Sequence, residues 1–122
     1  MCTILLHWDP VATHPVIVAA NRDEFRARPT DPPGRLAPGV FAGRDRRAGG
    51  TWLAVGLGGL AAVTNVSGLP IRPEARSRGE LPFLALTGRL PPSYEEWNAF
   101  NLVIADAAGV RVVVQGRPVG RG

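Results

Sequence analysis

At 122 residues the chain has the usual length of a single domain, enough to bury roughly two-thirds of the surface its unfolded form exposes. Its 45% hydrophobic and 20% charged residues exclude a wholly disordered chain, and 15 Gly with 12 Pro predict many turns. All its basic residues are arginine and the net charge is +4, yet the densest runs, Arg44-Arg46-Arg47 and Arg72-Arg76-Arg78, are diluted by acidic residues and carry no interleaved aromatics, a pattern of solvated surface and not of a nucleic-acid partner.

In chain order, Cys2 to Trp8 and Pro15 to Ala20 read as two strands joined by a turn containing Asp9-Pro10, a predicted hairpin. Arg28 to Gly39 holds Pro29, Pro32, Pro33, Gly34, Pro38 and Gly39, which rules out a helix or a central strand and predicts a surface loop. Thr51 to Val55 and Leu60 to Asn65 form a second predicted hairpin around Gly56-Leu57-Gly58-Gly59. Glu80 to Thr87 is a short helix candidate with Pro82 in its first turn. Ser93 and Glu96 make a capping-box spacing that predicts another short helix through Trp97. Phe100 to Ile104 and Val110 to Val114 give a last hairpin, and Gly116 to Gly122 is expected to fray. The order of strands, helices and strands predicts an α+β layered domain over residues 1–115, with Trp8, Trp52 and Trp97 as core anchors.

One cysteine excludes an internal disulfide or a cysteine-rich metal site, no metal or cofactor is called for, and no 18-residue apolar run could span a membrane. The start lacks the basic and apolar regions of a signal segment, so a soluble, cytoplasmic protein keeping its own N-terminus is the expectation. Trimming of Met1 before the small Cys2 would give one residue a thiol and a free α-amine. The amine titrates near ~7.7–8.0 and the thiol near ~8.5, so the one can take the proton of the other. A hairpin over residues 2–20 would also return Asn21-Arg22-Asp23-Glu24-Phe25 toward Cys2. A guanidinium there favours thiolate, and a carboxylate can hold the α-ammonium. Strand alternation puts His7 on the face opposite Cys2, and His7 and His14 are read as structural.

Cys2-Thr3, Ala20-Asn21-Arg22-Asp23-Glu24-Phe25, Arg28-Pro29-Thr30, Phe41-Ala42-Gly43-Arg44-Asp45, Gly49-Gly50-Thr51-Trp52-Leu53, Thr64-Asn65-Val66, Ser77-Arg78-Gly79-Glu80 and Phe100-Asn101-Leu102 occur in order along about the first hundred residues. Together they resemble the NRDE family, also called transport and Golgi organization protein 2-like. The resemblance implies an N-terminal-nucleophile (Ntn) hydrolase-like αββα sandwich, incomplete in a chain about half as long as other members and for that reason inclined to self-association. A more distant similarity to choloylglycine hydrolases and penicillin V acylases implies Cys2 as nucleophile, with Arg22, Asp23 and Asn65 polarising and positioning a small-molecule amide substrate. Arg and Asp are adjacent here, unlike the acylase pattern, so on an extended strand they face opposite ways. Because eukaryotic members are associated with haem trafficking, the resemblance also admits a non-catalytic carrier of a hydrophobic ligand such as haem.

Overall fold

The structure, a computed structural model, describes residues 3–21, 26–66 and 68–114, together with the backbone of 117–119. The predicted first hairpin is present as β1 (Thr3–Trp8) and β2 (Val16–Asn21), antiparallel from Thr3 opposite Asn21 to Trp8 opposite Val16. Alternation along β1 leaves Thr3, Leu5 and His7 exposed and turns Ile4, Leu6 and Trp8 inward, as a two-residue strand period requires. The turn is held by the Asp9 N–H donating to the Pro15 carbonyl at 2.8 Å and by Asp9 Oδ1 accepting from the Val11 N–H at 3.1 Å.

Seven further strands form one antiparallel meander in chain order: β3 (Thr30–Ala37), β4 (Val40–Asp45), β5 (Leu53–Gly56), β6 (Gly59–Asn65), β7 (Phe100–Asp106), β8 (Gly109–Val114) and β9 (Arg117–Val119). Two of them correct expectations. The proline-rich stretch expected to be a surface loop contains β3, which pairs with β4; the expectation holds only in that β3 is not central. It is the sheet's edge, and its register shifts between Asp31 and Gly34, where Pro32 and Pro33 lack the N–H groups that regular pairing uses. β4 itself was not anticipated. Of the terminal segment expected to fray, Arg117–Val119 runs against Val112–Val114 of β8, and the remainder lies outside the described residues.

The second and third predicted hairpins are β5–β6 and β7–β8. In the first of these Gly56 pairs with Gly59, leaving the two-residue loop Leu57-Gly58 with φ of 53° and 84°. Positive φ at both positions is what a type I′ turn demands. In the second, Asp106 Oδ1 accepts from the N–H groups of Ala108 and Gly109 at 2.8 and 3.1 Å, an Asx-type closure of the turn.

Between β6 and β7 the chain leaves the sheet at Asn65 and re-enters at Phe100, its direct partner. This excursion carries a 3₁₀ turn, Arg78–Glu80, and the predicted helix, α1 (Leu81–Leu86), with proline in its first turn. Pro82 costs the helix nothing there, because first-turn N–H groups have no intrahelical acceptor. The helix expected from Ser93 to Trp97 is absent: Ser93 Oγ accepts from the N–H of Glu95, two residues on, and a bridge from Trp97 to Arg76 holds the segment in extended turns. The local side-chain bond competes with the helical one that the capping-box pattern presupposed.

The layers follow from alternation. One sheet face, with Ala61, Val63, Phe100, Leu102, Ile104 and Val113, packs against Leu81 and Ala85 of α1. Phe83 and Leu86 of the same helix reach Val40, Ala42 and Ala54. The opposite face, with Leu60, Ala105 and Val110, is covered by Leu6, Trp8, Val16 and Val18 of the first hairpin, and Trp8 Nε1 donates to the Asp106 carbonyl at 2.8 Å. The order is helix, seven-stranded sheet, two-stranded sheet: a sheet-dominated α+β fold. Each large apolar side chain taken fully into this core contributes about 1.5–3 kcal/mol relative to leaving it exposed. Among the described residues no helix is long and apolar enough to cross a membrane.

Candidate functional site

Where the excursion leaves and rejoins the sheet, Asn65 borders a cleft of about 390 Å³. Its walls come from the loop after β4, the end of β6 and the arginine-rich segment before α1, with Arg28 from before β3 and Asn98 from before β7. The loop after β4 and the segment before α1 lie back to back. A Cβ on Gly50 would stand 2.5 Å from the Gly79 carbonyl carbon, so position 50 admits only glycine, and one on Gly79 would stand 3.1 Å from the Thr51 nitrogen, a tight fit that its neighbours would have to yield to. The Thr51 N–H donates to the Gly79 carbonyl at 2.9 Å, and buried Thr51 donates through Oγ1 to Leu53 at 3.1 Å. The glycines of Gly49-Gly50-Thr51 and Ser77-Arg78-Gly79 thus bring Arg78 to the end of β6.

On the far wall Asp45 is buried, and Arg28 Nε donates to its Oδ2 at 3.0 Å. Asp45 Oδ1 accepts from the Arg47 N–H at 3.0 Å. The Arg28 guanidinium holds the Asp45 carboxyl below the usual carboxylate range, against a smaller opposing push from burial. Arg76 donates to Glu80 Oε2 at 2.9 Å and to Glu96 Oε2 at 3.3 Å, and stacks over Trp97 at 4.5 Å from the ring centre. Arg72 is tied to the carbonyls of Glu95 and Trp97, both at 2.7 Å, and its backbone exchanges two bonds with the Asn98 amide. Arg78 donates to the Ala99 carbonyl at 2.9 Å, and burial lowers its pKa.

Of the four residues expected to carry chemistry, Cys2, Arg22 and Asp23 lie outside the described residues. Their chain neighbours are described: Thr3 and Asn21 are strand partners, and the Thr3 N–H donates to Asn21 Oδ1 at 3.2 Å. Asn65 is exposed at the last position of β6 and borders the cleft. By alternation it shares the face of Ala61 and Val63, the face turned to α1, while the first hairpin covers the other. His7 is on the exposed side of β1 with Thr3 and Leu5. The three tryptophans separate: Trp97 is buried with its Nε1 donating to Ser77 at 3.2 Å, whereas Trp8 is half-buried between layers and Trp52 is half-buried at the cleft wall, not in the core.

Arg28, Asp45 and Arg78 received no role from sequence reasoning, although each stands in one of the ordered motif blocks. Their shared signal was that membership alone, because residues that meet only in the folded chain leave no periodic trace.

The chain matches the family Transport and Golgi organisation 2 over residues 1–117. It is 36% identical to the Transport and Golgi organization 2 homolog of Mus musculus and, likewise at 36%, to the Transport and Golgi organization protein 2 homologs of Bos taurus and Homo sapiens. Each match covers 87% of this chain and 45% of the relative, so the chain spans about half the length of the curated relatives it matches.

Proposed function

The chain belongs to the Transport and Golgi organisation 2 family, and on that premise we propose that it forms part of an Ntn-hydrolase-like αββα sandwich that cleaves a nonpeptide C–N amide bond with Cys2 as nucleophile. The observation that carries this reading is the closure of the first hairpin by the Thr3–Asn21 pair. Cys2 precedes one member of that pair in the chain and Arg22 and Asp23 follow the other, so all three adjoin the same strand-end pair in sequence. The observed order of helix, sheet and sheet supports three of the four layers of such a sandwich.

With Met1 removed, the thiol proton of Cys2 passes to its own α-amine, and the sulfur bonds to the substrate carbonyl carbon while the C=O pair moves onto oxygen. Donors from Arg22 would hold that oxyanion and Asp23 would orient the α-ammonium; Asn65, on the α1-facing side of the sheet, would position substrate only from the exposed end of β6. Collapse breaks the C–N bond, the departing nitrogen takes the proton, and water then hydrolyses the thioester, its hydrogen returning to sulfur. The haem-carrier reading has less support, because the cleft beside Asn65 sets four arginines, Asp45 and Asn98 among Trp52, Val63 and Ile71 and does not offer a predominantly apolar lining.

Intact mass, the rate of Cys2 alkylation and hydrolysis of fluorogenic N-acyl amides test the proposal together. The expected result is a chain lacking Met1, rapid alkylation, and a release of amine that Cys2→Ala abolishes. A chain that keeps Met1, or turnover unaffected by Cys2→Ala, overturns it.

A further inference from the structure

Among the described residues, four arginines, Arg28, Arg72, Arg76 and Arg78, line the cleft beside Asn65, against a single carboxylate, Asp45. Two of these charges are already answered: Arg28 by Asp45, and Arg76 by Glu80 and Glu96. The carbonyls that hold Arg72 satisfy its N–H groups without cancelling its charge. Arg78 is the least compensated. It is half-buried, a guanidinium carries five N–H donors, and among the described residues it meets one carbonyl, that of Ala99, and no carboxylate. Withdrawing a guanidinium from water without an anion is costly, and the lowered pKa of Arg78 reflects that burial.

We infer that this cleft binds a small-molecule oxyanion, a carboxylate or a phosphate, on the guanidinium fork of Arg78. The fork matches two oxygens of either group in one plane. The volume of about 390 Å³ lies in the range of small-ligand sites and is too small for a macromolecular groove. The contact of Gly50 with Gly79 and the bond from Trp97 Nε1 to the Ser77 carbonyl set the backbone on the two sides of Arg78, and the Ala99 carbonyl holds its guanidinium, so the fork is placed before the ligand arrives. As a binding site this stands without Cys2; as a statement that the substrate is anionic it rests on the hydrolase reading above.

Binding is therefore measured in a Cys2→Ala background, by calorimetry and by the Asn65 side-chain amide signals in NMR, with sodium butyrate and inorganic phosphate as separate probes. At least one anion should saturate, and the stronger of the two identifies the headgroup. Arg78→Gln, which keeps a donor for Ala99, should weaken the dissociation constant tenfold or more. Arg78→Lys, which keeps the charge without the fork, should weaken it less, and Arg111→Gln, at an exposed residue of β8 outside the cleft, should change nothing. Failure of both anions to saturate, or equal weakening by Arg78→Gln and Arg111→Gln, overturns the site. Should Arg78→Gln fail to fold, unaltered affinity in Arg78→Lys overturns it alone. Anion binding without any amide hydrolysis by the unsubstituted chain would sink the catalytic reading while leaving this one intact.

Discussion

Asp45 shows how a single side chain can tie loops that the chain brings together only on folding. Its carboxylate takes Arg28 from before β3 and the N–H of Arg47 from the following turn, while its own N–H donates to the Gly50 carbonyl at 2.8 Å. Replacing it by asparagine should cost about 1.5–3 kcal/mol at neutral pH, the range for hydrogen bonds to a charged group. Because the Arg28 guanidinium holds the folded-state pKa below its unfolded value, this stabilisation is fully present above the unfolded pKa. It drains away as pH falls below about 4 and through the folded value. Urea midpoints from pH 6 to pH 2 should therefore converge for the native chain and Asp45→Asn as acid is added; a constant gap would show that the carboxylate charge contributes nothing. The sequence marks Asp45 as part of a motif block but not its partner, since Arg28 lies seventeen residues away with β3 between them.

At the scale of elements, hairpins were legible and edges were not. The β5–β6 hairpin announced itself because glycines between two apolar runs are a local requirement of a reversal. Leu57 goes against that local rule: it holds φ of 53° where asparagine or glycine is preferred, and it is 59% exposed. Leu57→Asn should therefore raise stability by about 1 kcal/mol, since left-handed backbone costs a branched residue about that much. In a thermal melt this is roughly 3–6 °C. No rise would mean that the contact between the Leu57 side chain and the Gly39 turn offsets the strain. By contrast β3 was illegible, because prolines forbid a central strand and permit an edge one, and which position a strand takes depends on neighbours the local sequence does not name. The Ser93–Glu96 pattern misled for a related reason: Trp97 is drawn into a contact with Arg76 and Ser77 that a helix there would break.

Across the whole molecule, the two-stranded layer is the least protected part. Its inner face is packed on the sheet, but Leu5 and Ile17 on its outer face are 66% and 54% exposed. Neither of its edges pairs with another strand among the described residues. Exposed apolar surface on a sheet with free edges tends to associate with a second copy. The 122-residue chain is therefore expected to self-associate at micromolar concentration, and Leu5→Thr with Ile17→Thr should shift light scattering toward monomer. A monomeric native chain would show that two free edges and this apolar face are tolerated in solution.

The sequence by itself determined the strand alternation, the three hairpins and the short helix, because each depends on contacts between residues close along the chain. Its ordered blocks also sufficed for the family. Only the tertiary structure decided which strand became the edge, that the first hairpin forms its own layer over Leu60 and Ala105, and that Trp97 and not Trp52 enters the core. It alone decided that Arg28, Asp45, Asn65 and Arg78 share one cleft. The physical reason lies in the excursion from Asn65 to Phe100: strand pairing closes it at its base, and the close approach of Gly50 and Gly79 folds it back over the sheet.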